Sequence, residues 1–434
     1  MVRVGIVGCG VVGTGVVQLL LKNSDLIEKK AGVRIELTKV ADKDWERQRP
    51  FEVPGHLRVT DYREVLESSD IVVELVGGKS FAKDLIKEAL ERGKHVVTAN
   101  KHLLAEDGYE LFKLAEERGL YIGFEASVGG GIPIIKAVRE SLVGNRIRAV
   151  YGILNGTTNY ILTRMLEEEI DFESALQEAK QKGYAEADPS LDIDGWDAAH
   201  KITLLSYIAF GSFFSFAEVF VEGIRKVDLL DIELGRDLGY TLKLLAIAKS
   251  RDGEIEVRVH PTFVPEDDPL AKVRDVFNAI TVDGDFVGKT MFYGRGAGSH
   301  PTASAVVSDI VDMAQRIVYC KGIYTHRMGW EGRELKVNRN FYSRYYVRFD
   351  VPDRPGVLAS ISRVLADYHI SIASVLQKEK VCKIAGREGE HIVPLVILTH
   401  KAYERDMRGA LKVIKELPVV EGEPVLIRVE EEAE

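Results

Sequence analysis

The first third of the chain alternates short apolar runs with segments of helical periodicity. Apolar residues 2–7 lead into a glycine-rich turn, and the apolar positions of 14–22 recur on one helix face. The pattern predicts further strands at 33–41, 71–76, 95–99 and 120–124, and helices at 81–92 and 109–118. Strands that alternate with helices predict an α/β domain with a doubly wound parallel sheet, which we assign to residues 1–130.

The pattern changes after three consecutive glycines at 129–131. It predicts a helix at 133–142, a strand at 146–154, a helix at 159–168, an acidic loop up to residue 194, and strands at 255–260 and 286–293. We interpret residues 131–320 as a second domain, of the α+β class. Its last helix, residues 302–319, is expected to return and cover the first domain.

The C-terminal part has the order βαββαβ. The predicted strands are 345–351, 371–378, 391–399 and 425–429, and the predicted helices are 357–367 and 403–415. This order is typical of a ferredoxin-like fold. We expect a linker at 321–343, a separate third domain at 344–434, and a solvated acidic end.

Composition narrows the class of protein. The 434 residues carry a net charge of −9, with 46% hydrophobic and 29% charged residues, which is ordinary for globular domains and argues against nucleic acid as a partner. The three cysteines show no metal-binding spacing, as expected for a cytoplasmic protein. Two uncharged stretches, 4–21 and 202–217, contain glycines or polar residues, so we expect no membrane partner, and we interpret the second as a buried helix followed by a loop.

Gly8, Gly10 and Gly13 match the dinucleotide fingerprint between a strand and a helix. The first glycine permits the tight turn, the second lets the backbone approach a pyrophosphate, and the third lets helix pack on strand. The pattern predicts a Rossmann domain in which this turn, with Val11 and Val12, binds NAD or NADP. A tight turn without a nucleotide is the alternative.

Asp42 ends the next predicted strand, 34 positions after Gly8 instead of the usual ~20, so extra structure must intervene. A carboxylate there can bind the ribose hydroxyls of NAD, whereas Lys43, Arg47 and Arg49 can hold the 2′-phosphate of NADP. Cofactor preference stays open, because these charges can also form a solvated loop.

Four longer motifs carry a family resemblance. They are Thr98-Ala-Asn-Lys101, Glu125-Ala-Ser-Val-Gly-Gly-Gly-Ile-Pro133, Gly152-Ile-Leu-Asn-Gly-Thr-Thr-Asn-Tyr160 and Asp188-Pro-Ser-Leu-Asp-Ile-Asp-Gly-Trp-Asp-Ala-Ala-His-Lys201. In this order the chain resembles homoserine dehydrogenases, and the third domain resembles an ACT domain. The resemblance implies NAD(P)-dependent interconversion of L-homoserine and L-aspartate 4-semialdehyde, in threonine and methionine biosynthesis, by a homodimer formed through the second domain.

Asp197 and Lys201 are four residues apart and share a helix face, with Asp194 expected as the N-cap. Without context this is a surface ion pair worth roughly 0.2–0.5 kcal/mol. The resemblance implies instead that Lys201 transfers the proton and that Asp197 is its partner carboxylate. Lys101 follows a strand at the ligand crevice, although a bystander lysine is the alternative. If it approaches Lys201, repulsion should lower one or both pKa values, and homoserine oxidation should rise with pH.

The loop 183–194 should receive the substrate's ammonium and hydroxyl ends, because Glu186 and Asp192 match family positions with that role. Asn155 and Thr157 lie in the segment that lines the nicotinamide and substrate cleft in the resembled family. A Ca²⁺ site built from the acids of this loop is the alternative, but their spacing does not fit an EF-hand.

The triple glycine is open to three interpretations: a second phosphate nest, a hinge between domains, or a cation site. The resemblance implies that backbone at Glu125, Val128, Gly130 and Ile132 holds a monovalent cation such as Na⁺. It also places Thr98, Asn100, Lys101 and Gly298 beside the nucleotide. His300 follows that last loop and is an alternative candidate for the catalytic base.

The turn Asp353-Arg354-Pro355-Gly356 lies between strand and helix of the third domain. In ACT domains this turn helps to bind a regulatory amino acid, although it can equally be a turn that only needs proline and glycine. For the whole chain there are two alternative functions: another Rossmann reductase of amino-acid metabolism, and a non-catalytic amino-acid sensor.

Overall fold

The computed structural model describes residues 1–251, 253–320, 335–377 and 392–430. Most of the predicted linker, Cys382 and residues 431–434 lie outside the described residues. Glu430, the first residue of the acidic end, is not solvated as expected, because it pairs with buried Arg258 at 3.0 Å. In the first region the elements are β1 (Val2–Val7), α1 (Val11–Lys22), α2 (Ser24–Ala31), β2 (Ile35–Ala41), β3 (Arg58–Val59), α3 (Tyr62–Ser68), β4 (Ile71–Glu74), α4 (Ser80–Glu91), β5 (His95–Thr98), α5 (Lys101–Glu117) and β6 (Ile122–Gly123).

The strands of this region form one parallel sheet in the order β3-β2-β1-β4-β5-β6. The predicted doubly wound Rossmann sheet is therefore confirmed. Helix α2 was not predicted. Its sequence is polar and only Ala31 is buried, so hydrophobic periodicity gave little signal, yet it supplies the extra structure between Gly8 and Asp42.

The second region begins with α6 (Ile134–Lys136), which continues as a π-helical turn (Ala137–Ser141). Its further elements are β7 (Ile147–Ile153), α7 (Gly156–Glu168), α8 (Phe172–Gln181), α9 (Ser190–Ile193), α10 (Trp196–Phe210), β8 (Phe220–Val221), α11 (Leu229–Asp237), β9 (Tyr240–Arg251), β10 (Glu254–Pro265), β11 (Phe277–Gly284), β12 (Gly288–Arg295) and α12 (Ser299–Tyr319).

Two expectations for the second region have clear outcomes. The predicted return of the last helix is confirmed, because Val306 and Ile310 of α12 share one core with Val16 and Val17 of α1. The predicted continuous loop up to residue 194 is wrong, because α8 lies within it. This helix buries two alanines and one leucine, a face too narrow to stand out as a hydrophobic pattern.

The third region contains β13 (Lys336–Val337), β14 (Tyr342–Pro352), α13 (Val357–Asp367), β15 (Ile372–Gln377), β16 (Ile392–Thr399), β17 (Ala402–Tyr403), α14 (Glu404–Lys415) and β18 (Glu421–Val429). Its four longer strands lie in the order β18-β14-β16-β15, as the ferredoxin-like prediction requires. None of the helices in the described ranges combines the length and apolar character needed to cross a bilayer.

The second and third regions share one sheet. Strand β18 pairs in parallel with β10, where Thr262 faces Arg428, so the strand order runs β12-β11-β7-β9-β10-β18-β14-β16-β15. A buried ion pair reinforces this junction: Nε of Arg348 on β14 lies 2.7 Å from Oδ1 of Asp231 on α11. The hydroxyl of Tyr346 donates to the same carboxylate at 2.8 Å.

Candidate active site

The glycine turn after β1 has the shape that a bound pyrophosphate requires. Gly8 has φ +100°, and a Cβ there would lie 2.5 Å from the backbone of Leu75. A Cβ on Gly13 would lie 2.1 Å from the carbonyl oxygen of Gly8, so α1 packs closely on the turn. By contrast, no atom of the described residues comes within 4 Å of a Cβ placed on Gly10. The open side of the turn therefore lies at the N-terminus of α1, where a helix favours phosphate.

Asp42 lies beside this turn, as predicted. Its Oδ2 accepts a hydrogen bond from the backbone N–H of Cys9 at 2.7 Å. Arg49 pairs with the carboxylate at 3.3 Å, and its Nε donates to the carbonyl of Cys9. The Lys43 ammonium lies 5.5 Å from the centre of the Phe81 ring. The adenosine end of a dinucleotide would therefore meet both acidic and basic groups.

The ends of β4 and β5 form the next wall of the cleft. Buried Glu74 accepts a hydrogen bond from Thr98 Oγ1 at 2.6 Å and from the backbone N–H of Val76 at 2.8 Å. Asn100 caps α5 by accepting from the N–H of Leu103. Sequence reasoning missed Glu74, although a single charged residue inside the apolar run 71–76 is a usable signal.

Lys101, Asp197 and Lys201 meet at the boundary between the first and second regions. Asp197 Oδ1 lies 3.0 Å from the Lys101 Nζ, and Lys201 Nζ donates to Oδ2 at 2.7 Å. Lys201 also donates to the carbonyl of Leu154 at 2.7 Å. The predicted approach of the two lysines is thus observed, with a carboxylate between them.

The pKa values of the two lysines shift in opposite directions because their surroundings differ. Burial lowers the pKa of Lys201, and Lys101 adds to this, although Asp197 opposes it. Lys101 is 39% exposed, and the charge of Asp197 raises its pKa. Burial alone would raise the pKa of Asp197, but the two lysines more than offset this and hold it well below its usual range. We expected repulsion to lower one or both lysine pKa values, and only that of Lys201 is lowered.

Asn155 connects these groups to the predicted substrate loop. Its Nδ2 donates to Asp192 Oδ1 at 2.7 Å and to Asp197 Oδ2 at 2.8 Å, while its Oδ1 caps α7 at Thr158. Burial and the neighbouring Asp197 raise the pKa of Asp192. Thr157 holds the loop by donating to the carbonyl of Tyr184 at 2.8 Å.

Asp194 does not cap α10, contrary to the prediction. Gly195 occupies the N-cap position with φ +87°, and Asp194 ends the short helix α9. Its carboxylate instead pairs with Arg225, which also donates to Ser190 Oγ at 2.9 Å. The competing arginine comes from a distant part of the chain, which local spacing does not reveal.

A cleft of about 380 Å³ joins these parts. It lies between the ends of β4 and β5 and the loop before α10. Its lining includes Val12, Glu74, Asn100, Lys101, His102, Glu186, Asp188, Asp192, Asp197 and His200. Five of the predicted nucleotide and substrate residues therefore face one space: Val12, Asn100, Lys101, Glu186 and Asp192. The Lys201 side chain, 10% exposed, contacts Asp197 at 2.7 Å.

The glycine-rich segment after Glu125 packs tightly against the start of α12. A Cβ on Gly130, which has φ +56°, would lie 2.6 Å from the backbone of Gly296. The Glu125 carboxylate accepts the backbone N–H groups of Ile135 and Lys136, both at 2.9 Å. Burial, then nearby Asp309, raises the pKa of Glu125 to about 7. The Glu125 carboxylate is therefore engaged with the backbone at the start of α6.

Gly298, His300 and the turn 353–356 are the remaining predicted positions with a described structure. Gly298 precedes α12 with φ +121°, and the next residue, Ser299, donates to the carbonyl of Val11 in the nucleotide turn at 2.7 Å. His300 is exposed. In the third region Gly356 has φ +93° at the start of α13, and Asp353 accepts from Gln377 Nε2 at 3.2 Å.

Comparison with protein-family models gives three matches that cover most of the chain. The model described as "Homoserine dehydrogenase, NAD binding domain" matches residues 8–125, and "Homoserine dehydrogenase" matches 133–311. The "ACT domain" model matches 345–418.

Individual relatives agree over the full length. A homoserine dehydrogenase of Neisseria gonorrhoeae is 41% identical, covering 99% of this chain and 98% of the relative. One of Bacillus subtilis is 38% identical, with the same coverage of both chains. The solved homoserine dehydrogenase of Thiobacillus denitrificans superposes with a TM-score of 0.92 at 41% identity, covering 99% of this chain and 98% of that one.

A shorter structure, described as a hyperthermophilic archaeal homoserine dehydrogenase in complex with NADPH, has a TM-score of 0.59 at 29% identity. The match covers 72% of this chain and 97% of the archaeal chain.

Proposed function

This chain belongs to the homoserine dehydrogenase family of NAD(P)-dependent oxidoreductases, and we propose that Lys201 is the proton donor and acceptor of its reaction. The family interconverts L-homoserine and L-aspartate 4-semialdehyde. Full-length agreement with named relatives favours this activity over another Rossmann reductase and over a non-catalytic sensor.

One observation carries the proposal. Of the three N–H donors of a protonated lysine, Lys201 directs one to Asp197 and one to the carbonyl of Leu154. Within the described parts of the chain the third has no acceptor, and we assign it to a substrate oxygen. In semialdehyde reduction, negative charge develops on the aldehyde oxygen, and Lys201 donates a proton to it. In homoserine oxidation, neutral Lys201 accepts the hydroxyl proton. A bound nicotinamide supplies or accepts the hydride.

Asp197 and Lys101 act on Lys201 and on the substrate. Asp197 fixes the position of the Lys201 ammonium and carries one negative charge between two positive ones. The trio is therefore net positive, which favours an oxyanion in the cleft. Lys101 lines the cleft, which supports the proposal that it would contact the reacting oxygen or the nicotinamide.

The pH dependence of kcat tests the role of Lys201. Oxidation needs the neutral amine, so its kcat should rise with pH through the pKa of Lys201. Burial lowers that pKa, so the rise should lie below the range of an ordinary lysine. A kcat for oxidation that is flat between neutral and alkaline pH would count against lysine as the base.

For the nucleotide, the glycine turn with Val11 and Val12 would hold the pyrophosphate, and Asp42 with Lys43 the adenosine ribose. Thr98, Asn100, Lys101 and Gly298 would border the nicotinamide half. Open space at Gly10 and the polar groups at the end of β2 support this placement. Comparing KM for NAD and NADP decides the preference, and the NADPH bound by the archaeal relative makes NADP the first cofactor to measure.

For the substrate, Glu186 and Asp192 would bind the ammonium and hydroxyl ends, with Asn155 and Thr157 holding the loop that carries them. Both acids face the cleft, and Asn155 ties Asp192 to Asp197. Substrate is therefore expected to bind with its hydroxyl beside the lysines.

A Na⁺-like cation is proposed at the backbone carbonyls of Glu125, Val128, Gly130 and Ile132. The tight glycine turn and the engagement of the Glu125 carboxylate by two N–H groups support carbonyl ligands. Activity measured in Na⁺ against a large organic cation at equal ionic strength tests this site. A second arm, the melting temperature in the same two salts, separates binding from catalysis.

Three broader proposals complete the function. A homodimer through the second region is supported by exposed apolar side chains along β12 and its turn, where Phe286 is 89% and Tyr293 55% exposed. The ACT turn at Asp353 would bind a regulatory amino acid. A cytoplasmic location suits the free thiols Cys9 and Cys320. Light scattering tests the homodimer. Titration with threonine, methionine or lysine tests the regulatory site, and cell fractionation tests the location.

A further inference from the structure

Two histidines and one glutamate from different regions meet at one edge of the cleft. His102 and Glu106 are one helical turn apart on α5, and His200 lies on α10 directly before Lys201. Nε2 of His102 is 3.0 Å from Oε1 of Glu106, and Nε2 of His200 is 3.4 Å from the same oxygen. One ligand atom from each residue lies within 4.8 Å of the other two.

We propose that His102, Glu106 and His200 form a binding site for a divalent transition-metal ion of the Zn²⁺ class, with water as a fourth ligand. Two imidazoles and a carboxylate are ligands that zinc accepts. Bonds of about 2.0–2.2 Å in a tetrahedron place neighbouring ligand atoms roughly 3.3–3.5 Å apart. The two distances to Glu106, 3.0 and 3.4 Å, already lie near this spacing, and the separation of the two imidazole ligand atoms is no more than 4.8 Å.

The surroundings hold one imidazole and leave the other free to adjust. The His200 ring is buried and stacks on Phe216, with centroids 4.5 Å apart and an interplanar angle of 12°. The His102 side chain is 47% exposed, so it can turn toward an ion and admit it from the cleft. One fixed and one adjustable ligand suit a site that closes around a metal.

The carboxylate is also oriented for coordination. Its Oε2 is held by the Lys79 ammonium at 2.6 Å, so Oε1 faces the two imidazoles. Lys79 is held independently by Asp107 at 2.7 Å and need not leave when a cation binds. Hydrogen bonding of this kind to a ligating carboxylate is a regular feature of metal sites.

An ordinary helical ion pair between His102 and Glu106 explains only part of the arrangement. It does not account for His200, which comes from another region of the chain and approaches the same oxygen. A bound ion would join α5 to α10 immediately beside the two lysines. It would therefore tie the nucleotide-binding region to the catalytic helix.

Metal binding to the full-length protein tests the proposal directly. Equilibrium dialysis with Zn²⁺ is performed on the wild type and on His102→Ala and Glu106→Gln, with exposed His56→Ala as the matched control. We expect one equivalent per chain for the wild type and for His56→Ala. Loss of a ligand should weaken binding by at least about 10-fold.

Two further measurements distinguish this site from a cysteine-thiolate metal site and from an effect of misfolding in a variant. Co²⁺ bound at this site should show visible d–d absorption without thiolate-to-metal charge transfer. Zn²⁺ should raise the melting temperature of the wild type and of His56→Ala but not of His102→Ala, whose metal-free melting temperature should match the wild type. Equal Zn²⁺ affinity in wild type and His102→Ala, no binding by the wild type, or a thiolate spectrum would each overturn the proposal.

Discussion

The ammonium of Lys201 lies 2.7 Å from a carboxylate oxygen of Asp197, one turn earlier on the same helix, and both side chains are buried. On an exposed helix this spacing contributes only roughly 0.2–0.5 kcal/mol. Here Asp197 lines the cleft, and its carboxylate is shared between Lys201 and Lys101. Asp197 holds the ammonium of Lys201, the proposed proton-transferring group, in place, while burial lowers the pKa of Lys201. This arrangement leads to specific expectations for variants.

Replacing Lys101 with methionine should move the pH profile of homoserine oxidation to higher pH. The positive charge of Lys101 helps to lower the pKa of Lys201, so its removal raises that pKa. Asp197, no longer shared, then stabilises the Lys201 ammonium further. The measurement is kcat against pH for both proteins. Lys113→Met, on the same helix and exposed, is the matched control and should keep the wild-type profile. A profile displaced to lower pH in Lys101→Met would contradict the coupling.

Glu186→Gln should raise KM for L-homoserine by about 10- to 100-fold, because a charge-assisted hydrogen bond of roughly 1.5–3 kcal/mol is lost. KM for the nucleotide should change little. Glu173→Gln, an exposed position on α8, serves as the control and should leave both constants unchanged. If Glu186→Gln changes nucleotide KM more than homoserine KM, this carboxylate does not bind the ammonium.

Two glycines in the nucleotide turn should respond differently to alanine. Gly13→Ala brings a Cβ against the carbonyl of Gly8 and should destabilise the fold by about 1–3 kcal/mol. Gly10→Ala meets no described atom within 4 Å, so stability should change by less than about 1 kcal/mol. Nucleotide Kd should nevertheless rise about 10-fold or more, because the Cβ occupies the path of the pyrophosphate. Thermal unfolding and fluorescence titration measure both, and equal nucleotide Kd in Gly10→Ala and wild type would contradict this placement.

Arg348→Met should destabilise the junction between the second and third regions by about 3–5 kcal/mol, because it leaves Asp231 buried without its cation. The double variant with Asp231→Leu should recover part of this loss. Lys336→Met removes an exposed ion pair with Glu254 and should cost no more than about 1 kcal/mol. Denaturant unfolding of the three variants provides the comparison. Equal stabilities of Arg348→Met and Lys336→Met would show that the buried pair does not hold the junction.

Local pattern was sufficient for most of the fold. The glycine turn and the strands after it follow from periodicity and from the special needs of Gly8 and Gly13, and the structure confirms the parallel sheet. Helices α2 and α8 could not be found this way, because one buries a single residue and the other a narrow face of small side chains.

The site could be predicted only in part, since its geometry depends on long-range contacts. Spacing placed Asp197 and Lys201 on one face, but nothing local shows that Asp197 also reaches Lys101. Asp194 likewise pairs with Arg225 and does not cap α10, and local spacing does not reveal this contact. The pairing of β10 with β18, which joins two regions into one sheet, likewise has no local signature.

The most direct test of the central claim is kcat for L-aspartate 4-semialdehyde reduction by Lys201→Met, measured at saturating substrate and NADPH. Proton transfer by a positioned side chain contributes about 10²- to 10⁴-fold. The account predicts a loss of kcat in that range with nucleotide Kd and melting temperature close to wild type. A Lys201→Met enzyme that binds nucleotide normally and keeps wild-type kcat would contradict it.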